Sequence, residues 1–106
     1  MKLIIAVVQN KDADELVKQF IENDIRATKL ATSGGFLKAG NTTLMIGIED
    51  KRVDEVIALV KKYSHRRKQF LAPNMSMGST MFAKGVEVEV GGATVFVLPI
   101  ESFKQF

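Results

Sequence analysis

The sequence predicts an α+β fold of the ferredoxin-like type, βαββαβ with an additional C-terminal strand. Three observations carry this. Two apolar stripes with helical spacing are each preceded by a β-rich run. The stretch between them holds two further β-rich runs around a glycine-bearing loop. Finally, Gly91-Gly92 sits between two more strand-like segments near the end. The resulting order is the split βαβ pattern.

Lys2–Gln9 is almost continuously apolar, which suggests a central strand covered on at least one face. Asp12 with Glu15 three residues on has the spacing of a capping box. Ala13, Leu16, Val17, Phe20 and Ile21 then share one helical face. Asn23-Asp24 supplies a turn, since both residues tolerate left-handed geometry. Residues 25–32 read as the second strand, residues 33–40 as a loop, and Asn41–Ile48 as the third strand. Asp50 can cap the next helix, whose stripe is Val53, Val56, Ile57, Val60 and Tyr63, with Lys61 and Lys62 favoured near its C-terminal dipole. Residues 64–84 show no clear periodicity and read as a long loop, a length usually associated with function or disorder. Residues 85–90 and 93–98 flank Gly91-Gly92, a strong signal for a two-residue hairpin.

The 106 residues suffice for one domain, 1–106, with one core. Fifteen Lys and Arg against twelve Asp and Glu leave a net charge of +3, a mild bias toward anionic partners. Cysteine is absent, which excludes disulfides, thiolate metal sites and cysteine nucleophiles, and suits a reducing cytoplasm. The apolar run at Leu3 to Val8 is too short to span a bilayer and lacks a signal-peptide cleavage site, so membrane insertion is not expected.

Residues 26–43, RATKLATSGGFLKAGNTT, carry the densest set of candidate contacts. Two-residue periodicity puts Arg26 and Thr28 on one strand face. Gly34-Gly35 can turn the backbone so that N–H groups line a concavity suited to phosphate or a base edge. The same glycines also suit a plain strand-loop-strand connection. Asn41 carries an amide able to pair with adenine. Gly47 interrupts a strand, where glycine often marks a close approach.

These residues, with residues 86–97, VEVEVGGATVFV, and residues 102–106, SFKQF, resemble the PII-like cyclic-di-AMP receptor family (the PstA/DarA proteins). The resemblance runs along nearly the whole chain and weakens only at residues 64–84. It implies a PII-like fold, a homotrimer, and cyclic-di-AMP bound in clefts between neighbouring subunits, with no further cofactor. The implied contacts are Arg26, Ala27, Thr28, Gly35, Phe36, Leu37, Asn41 and Gly47 from one subunit. Phe96 and Gln105 would complete the cleft from a neighbour. Such a set suits a ligand with two phosphate charges and two adenines: Arg26 can meet phosphate or lie on a base, and Phe36, Leu37 and Phe96 offer apolar surface. The family pattern implies Asn where this chain has Asp24, and a carboxylate accepts hydrogen bonds without donating.

Two other stretches admit bland readings. His65-Arg66-Arg67-Lys68 is the densest basic run; it fits a patch for an acidic partner or nucleic acid, and better a solvated segment after the second helix. Phe70, Leu71, Met75, Met77, Met81 and Phe82 fit equally well folding back on the body of the protein or docking a downstream partner, whose identity the sequence leaves open. An RNA-binding module of related topology would need aromatics in its central strands, and Lys2–Gln9 and Asn41–Ile48 hold none. An ATP-binding PII-type regulator would carry a long loop after strand two, where this chain has a short one. One histidine, no cysteine and no arginine-bearing nest after strand one leave catalysis without its players. The expected protein is therefore a cytoplasmic sensor and not an enzyme.

Overall fold

The computed structural model describes residues 1–30, 40–71 and 86–106. The elements are β1 (Lys2–Gln9), α1 (Asn10–Glu22), β2 (Thr28–Leu30), β3 (Asn41–Ile48), α2 (Val53–Ser64), β4 (Arg67–Leu71), β5 (Val86–Val90) and β6 (Ala93–Pro99), with one 3-10 turn over Asp50–Arg52. A four-stranded antiparallel sheet runs in the order β2-β3-β1-β6, and β4 and β5 form a separate two-stranded sheet. The fold is α+β and ferredoxin-like, as predicted, with β6 as the fourth strand of the main sheet.

Alternation along β1 divides its apolar run between two faces. Ile4, Ala6 and Val8 are buried beneath the helices, beside Leu44, Ile46 and Ile48 of β3. From α1 come Ala13, Leu16 and Phe20, and from α2 Val56 and Val60. Burying each larger side chain of this set contributes about 1.5–3 kcal/mol, so this layer dominates stability. Leu3, Ile5 and Val7 point to the other face and are half-buried.

Four local expectations are corrected. The α1 capping box does not form: Gln9 takes the N-cap without a side-chain bond, and Asp12 lies inside the first turn. Ile21 leaves the packed face and is 71% exposed. Asp50 does not cap α2; it pairs with the Met1 ammonium at 2.8 Å, whose hydrogen bond holds its carboxyl below the usual aspartate value. The expected hairpin across Gly91-Gly92 is the largest change, because β5 pairs with β4 and β6 pairs with β1. The two glycines, at φ +86 and +98, pass the chain from one sheet to the other.

The segment read as a loop over 64–84 begins with the last residue of α2 and then forms β4, while 72–85 lie outside the described residues. The basic run opening it is largely paired: Arg66 with Glu89 at 3.3 Å, Lys68 with Glu87 at 3.4 Å, and Arg67 with Asp12 at 2.8 Å. Strand two was expected over 25–32. Its pairing begins only at Thr28 and is described through Leu30, because Ile25 is drawn into the core at the end of α1; residues 31–32 lie outside the described residues. Among the described residues, no helix is long and apolar enough to cross a membrane.

Candidate functional site

The register of the main sheet gathers several sequence-predicted residues onto one face. Thr28 pairs with Met45, Met45 with Ile5, and Ile5 with Phe96, so the four side chains form one row across four strands. The neighbouring row runs Gly47, Leu3, Leu98, and another runs Leu30, Thr43, Val7, Thr94. Asn41 pairs with Gln9 at the end of the same face. This face lies opposite the helices. It exposes Phe96 by 50%, Leu98 by 41% and Leu30 by 38%.

Thr28 and Phe96 occupy opposite edges of that row. Three strand spacings of about 4.8 Å separate them by roughly 14 Å, so one subunit does not bring them to the same ligand atom. Gly47 has a different neighbour. A side chain added there would meet the Phe103 ring at 3.4 Å and Ile100 at 3.8 Å, so the tail after β6 turns back over the open face of its own sheet. Gln105 follows two residues later and is exposed.

The start of β2 is built by the end of α1. The amide of Asp24 donates to Ile21 O at 3.1 Å, and that of Ile25 to Phe20 O at 2.8 Å. With Asp24 at φ +57, this is the Schellman arrangement, completed by contact between buried Phe20 and Ile25 in the core. Asp24 therefore fills the position that demands a left-handed residue, for which Asn and Asp are the tolerated non-glycine choices. Arg26 emerges exposed, Ala27 half-buried and Thr28 exposed. Beside them a cleft of about 270 Å³ opens between α1 and the strand start, bordered by Val17, Ile21, Asp24, Arg26 and Ala27.

Ile21 is the residue sequence reasoning misassigned: its apolar character placed it in the core, whereas it forms an exposed apolar wall of this cleft. Its position at the margin of the helical stripe was the available signal. Arg52 was also overlooked. It donates to Asn23 O at 2.8 Å and Asp24 O at 3.2 Å, and to both carboxylate oxygens of Glu55 at 3.1 and 2.9 Å. Those bonds hold the Glu55 carboxyl below the usual glutamate value. Gly35, Phe36 and Leu37 lie outside the described residues.

Arg26 and the apolar walls of Val17 and Ile21 thus border a cleft beside α1, while Thr28 and Asn41 add a hydroxyl and an amide on the open sheet face, a set able to hold an anionic, base-bearing ligand. Among the described residues, no cluster of His, Asp and Glu has the arrangement of a metal site. A crystal structure of a protein of unknown function from Pediococcus pentosaceus is similar to this chain at 52% identity, with a TM-score of 0.80, covering 99% of this chain and 96% of that one. The sequence pattern of the cyclic-di-AMP receptor family matches residues 1–106, the whole sequence above. With that match over a ferredoxin-like α+β fold, the chain belongs to the cyclic-di-AMP receptor family.

Proposed function

We propose that this protein is a non-enzymatic, cytoplasmic signal-transduction protein that binds cyclic-di-AMP in clefts between subunits of a homotrimer. The family assignment supports the ligand. The observation that carries the shared cleft is the row Thr28–Met45–Ile5–Phe96, which sets the proposed contacts on opposite edges of one sheet. A β6 edge of one subunit seated beside the β2 edge of the next brings Phe96 to Thr28 and Arg26. Because those two edges differ, the contact is head-to-tail, the type from which a cyclic trimer is built when the rotation between neighbours closes. Closing it also covers Leu3, Ile5, Met45 and Leu98, apolar residues that one subunit alone leaves incompletely buried.

Within the cleft, Arg26 meets phosphate or stacks on a base, Thr28 donates to phosphate, and the Asn41 amide pairs with adenine. Ala27, Gly35, Phe36, Leu37, Gly47, Phe96 and Gln105 complete the set. The signal leaves through the β4–β5 hairpin and the segment it carries. Arg67, Lys68 and Gln69 of β4 and Glu87 and Glu89 of β5 are polar residues outside the core cluster given above. Its described links to the body are polar: Arg67 to Asp12, the Gly91 amide to Gln9 Oε1 at 2.7 Å, and Lys11 to Gln69 at 3.3 Å. Bonds of this kind contribute only about 0.5–1.5 kcal/mol net when neutral, and about 1.5–3 kcal/mol when charged. Ligand-coupled rearrangement needs a difference of about 1–3 kcal/mol between states, which such links can supply.

Titration calorimetry with cyclic-di-AMP, cyclic-di-GMP and ATP tests the reading. Cyclic-di-AMP is expected to bind most tightly, with one ligand per subunit. Equal or tighter binding of ATP would instead make this an ATP-binding regulator of PII type.

A further inference from the structure

The last turn of α1 contains no basic residue to meet its final carbonyls. The cation comes instead from the 3-10 turn that leads into α2. Arg52 donates through Nη2 to Asn23 O and through Nη1 to Asp24 O, the two carbonyls at the outside of the turn. Its Nε and Nη2 are gripped by the two oxygens of Glu55, one helical turn along. A guanidinium has a planar fork of donors and can make both sets of contacts at once; the point charge of a lysine cannot. Arg26 begins two residues beyond Asp24.

From this geometry we infer that Arg52, oriented by Glu55, is a positioning residue for the ligand site: it fixes the angle at which the chain leaves α1 and thereby places Arg26 and Thr28. The inference rests on the proposed cyclic-di-AMP reading for what the site holds; the clamp itself does not depend on it. The helix end is already closed by the Asp24 and Ile25 amides, and Phe20 and Ile25 hold the turn to the core from within. Arg52 stays partly exposed, with 27% of its side chain accessible. Its removal returns two carbonyls to water without opening a cavity. What is lost is preorganisation, which ligand binding must then supply.

Calorimetry with cyclic-di-AMP on the full chain, alongside thermal unfolding, tests this. Arg52→Ala is expected to bind about tenfold more weakly while unfolding within a few degrees of the parent. Arg52→Lys should fall between the two, and Glu55→Gln should share the loss in smaller measure. In an Arg26→Ala background, adding Arg52→Ala should cost less affinity than it does in the parent, because one of the two residues it positions is gone. Amide hydrogen exchange of the free protein should quicken at Asp24 and Ile25, whose amides close the turn, in Arg52→Ala and stay unchanged in β1 and β3. Parent-like affinity in Arg52→Ala, or the same loss with and without Arg26, overturns the inference. Should the parent not bind cyclic-di-AMP, the functional reading fails by itself, and the exchange arm decides the clamp: unchanged rates at Asp24 and Ile25 overturn it.

Discussion

Arg26 and Thr28 are exposed and contribute nothing to the core, so their substitution separates binding from folding. Arg26→Ala and Thr28→Ala should each weaken cyclic-di-AMP binding by about 1.5–3 kcal/mol, or one to two decades, the usual loss for a hydrogen bond to a charged group. Calorimetry with circular dichroism as the folding control checks both, and unchanged affinity in a folded protein removes this face from the site. Asp24 invites the opposite kind of change. Its charge sits at the negative end of α1 and two residues from Arg26, while its left-handed backbone suits Asn equally well. Asp24→Asn should therefore stabilise the fold by about 0.3–1 kcal/mol in urea denaturation. It should also tighten binding of a dianionic ligand; a loss in both would mean that the carboxylate makes a favourable contact.

Among the elements, the β4–β5 hairpin meets the body of the protein at the backbone corner of Gly91, beside its polar links to Asp12 and Lys11. Gly91 donates its amide to Gln9, at a φ that L residues rarely adopt. A methyl group there would press into the His65 carbonyl and lie 2.6 Å from Arg67 Nη1, the guanidinium that reaches Asp12. Gly91→Ala should therefore destabilise by more than about 1 kcal/mol from the backbone alone. The damage should concentrate in the hairpin, with faster amide exchange in β4 and β5 and retained protection in β1 and β3. Uniform loss across the main sheet would show that the hairpin belongs to the same cooperative unit as the core.

At the scale of the whole molecule, the separation of Thr28 from Phe96 makes a prediction about stoichiometry. If each cleft takes Arg26 from one subunit and Phe96 from the next, neither Arg26→Ala nor Phe96→Ala homotrimers contain a complete cleft. Co-expressed and randomly mixed in equal amounts, the two chains should rebuild about a quarter of the clefts with both residues intact. Binding at parent affinity with that reduced stoichiometry is the expected result, alongside a trimeric mass by light scattering. Mixtures that bind no better than either variant, or a ligand-competent monomer, would place both residues within one subunit's site or outside it.

Periodicity alone determined the helices, the strands of the main sheet and most of the core, because each depends on which neighbours in the chain share a face. Leu16 and Phe20, or Ile4, Ala6 and Val8, are legible in this way. The site was legible as residue types in a motif, with Arg26, Thr28, Asn41 and Gly47 on one side of the chain. That Thr28 shares a row with Phe96, and that Asn41 and Gly47 lie on the same face, required the register. Asp12 looked like a local cap, and its partner Arg67 lies 55 residues away, beyond the reach of any local pattern. Gly91-Gly92 is compatible with a hairpin or with a crossing between sheets, since both need positive φ. The tertiary structure chose the crossing: the apolar run of β1 has two edges to satisfy, β3 fills one, and β6 can fill the other only by leaving β5 to pair with β4.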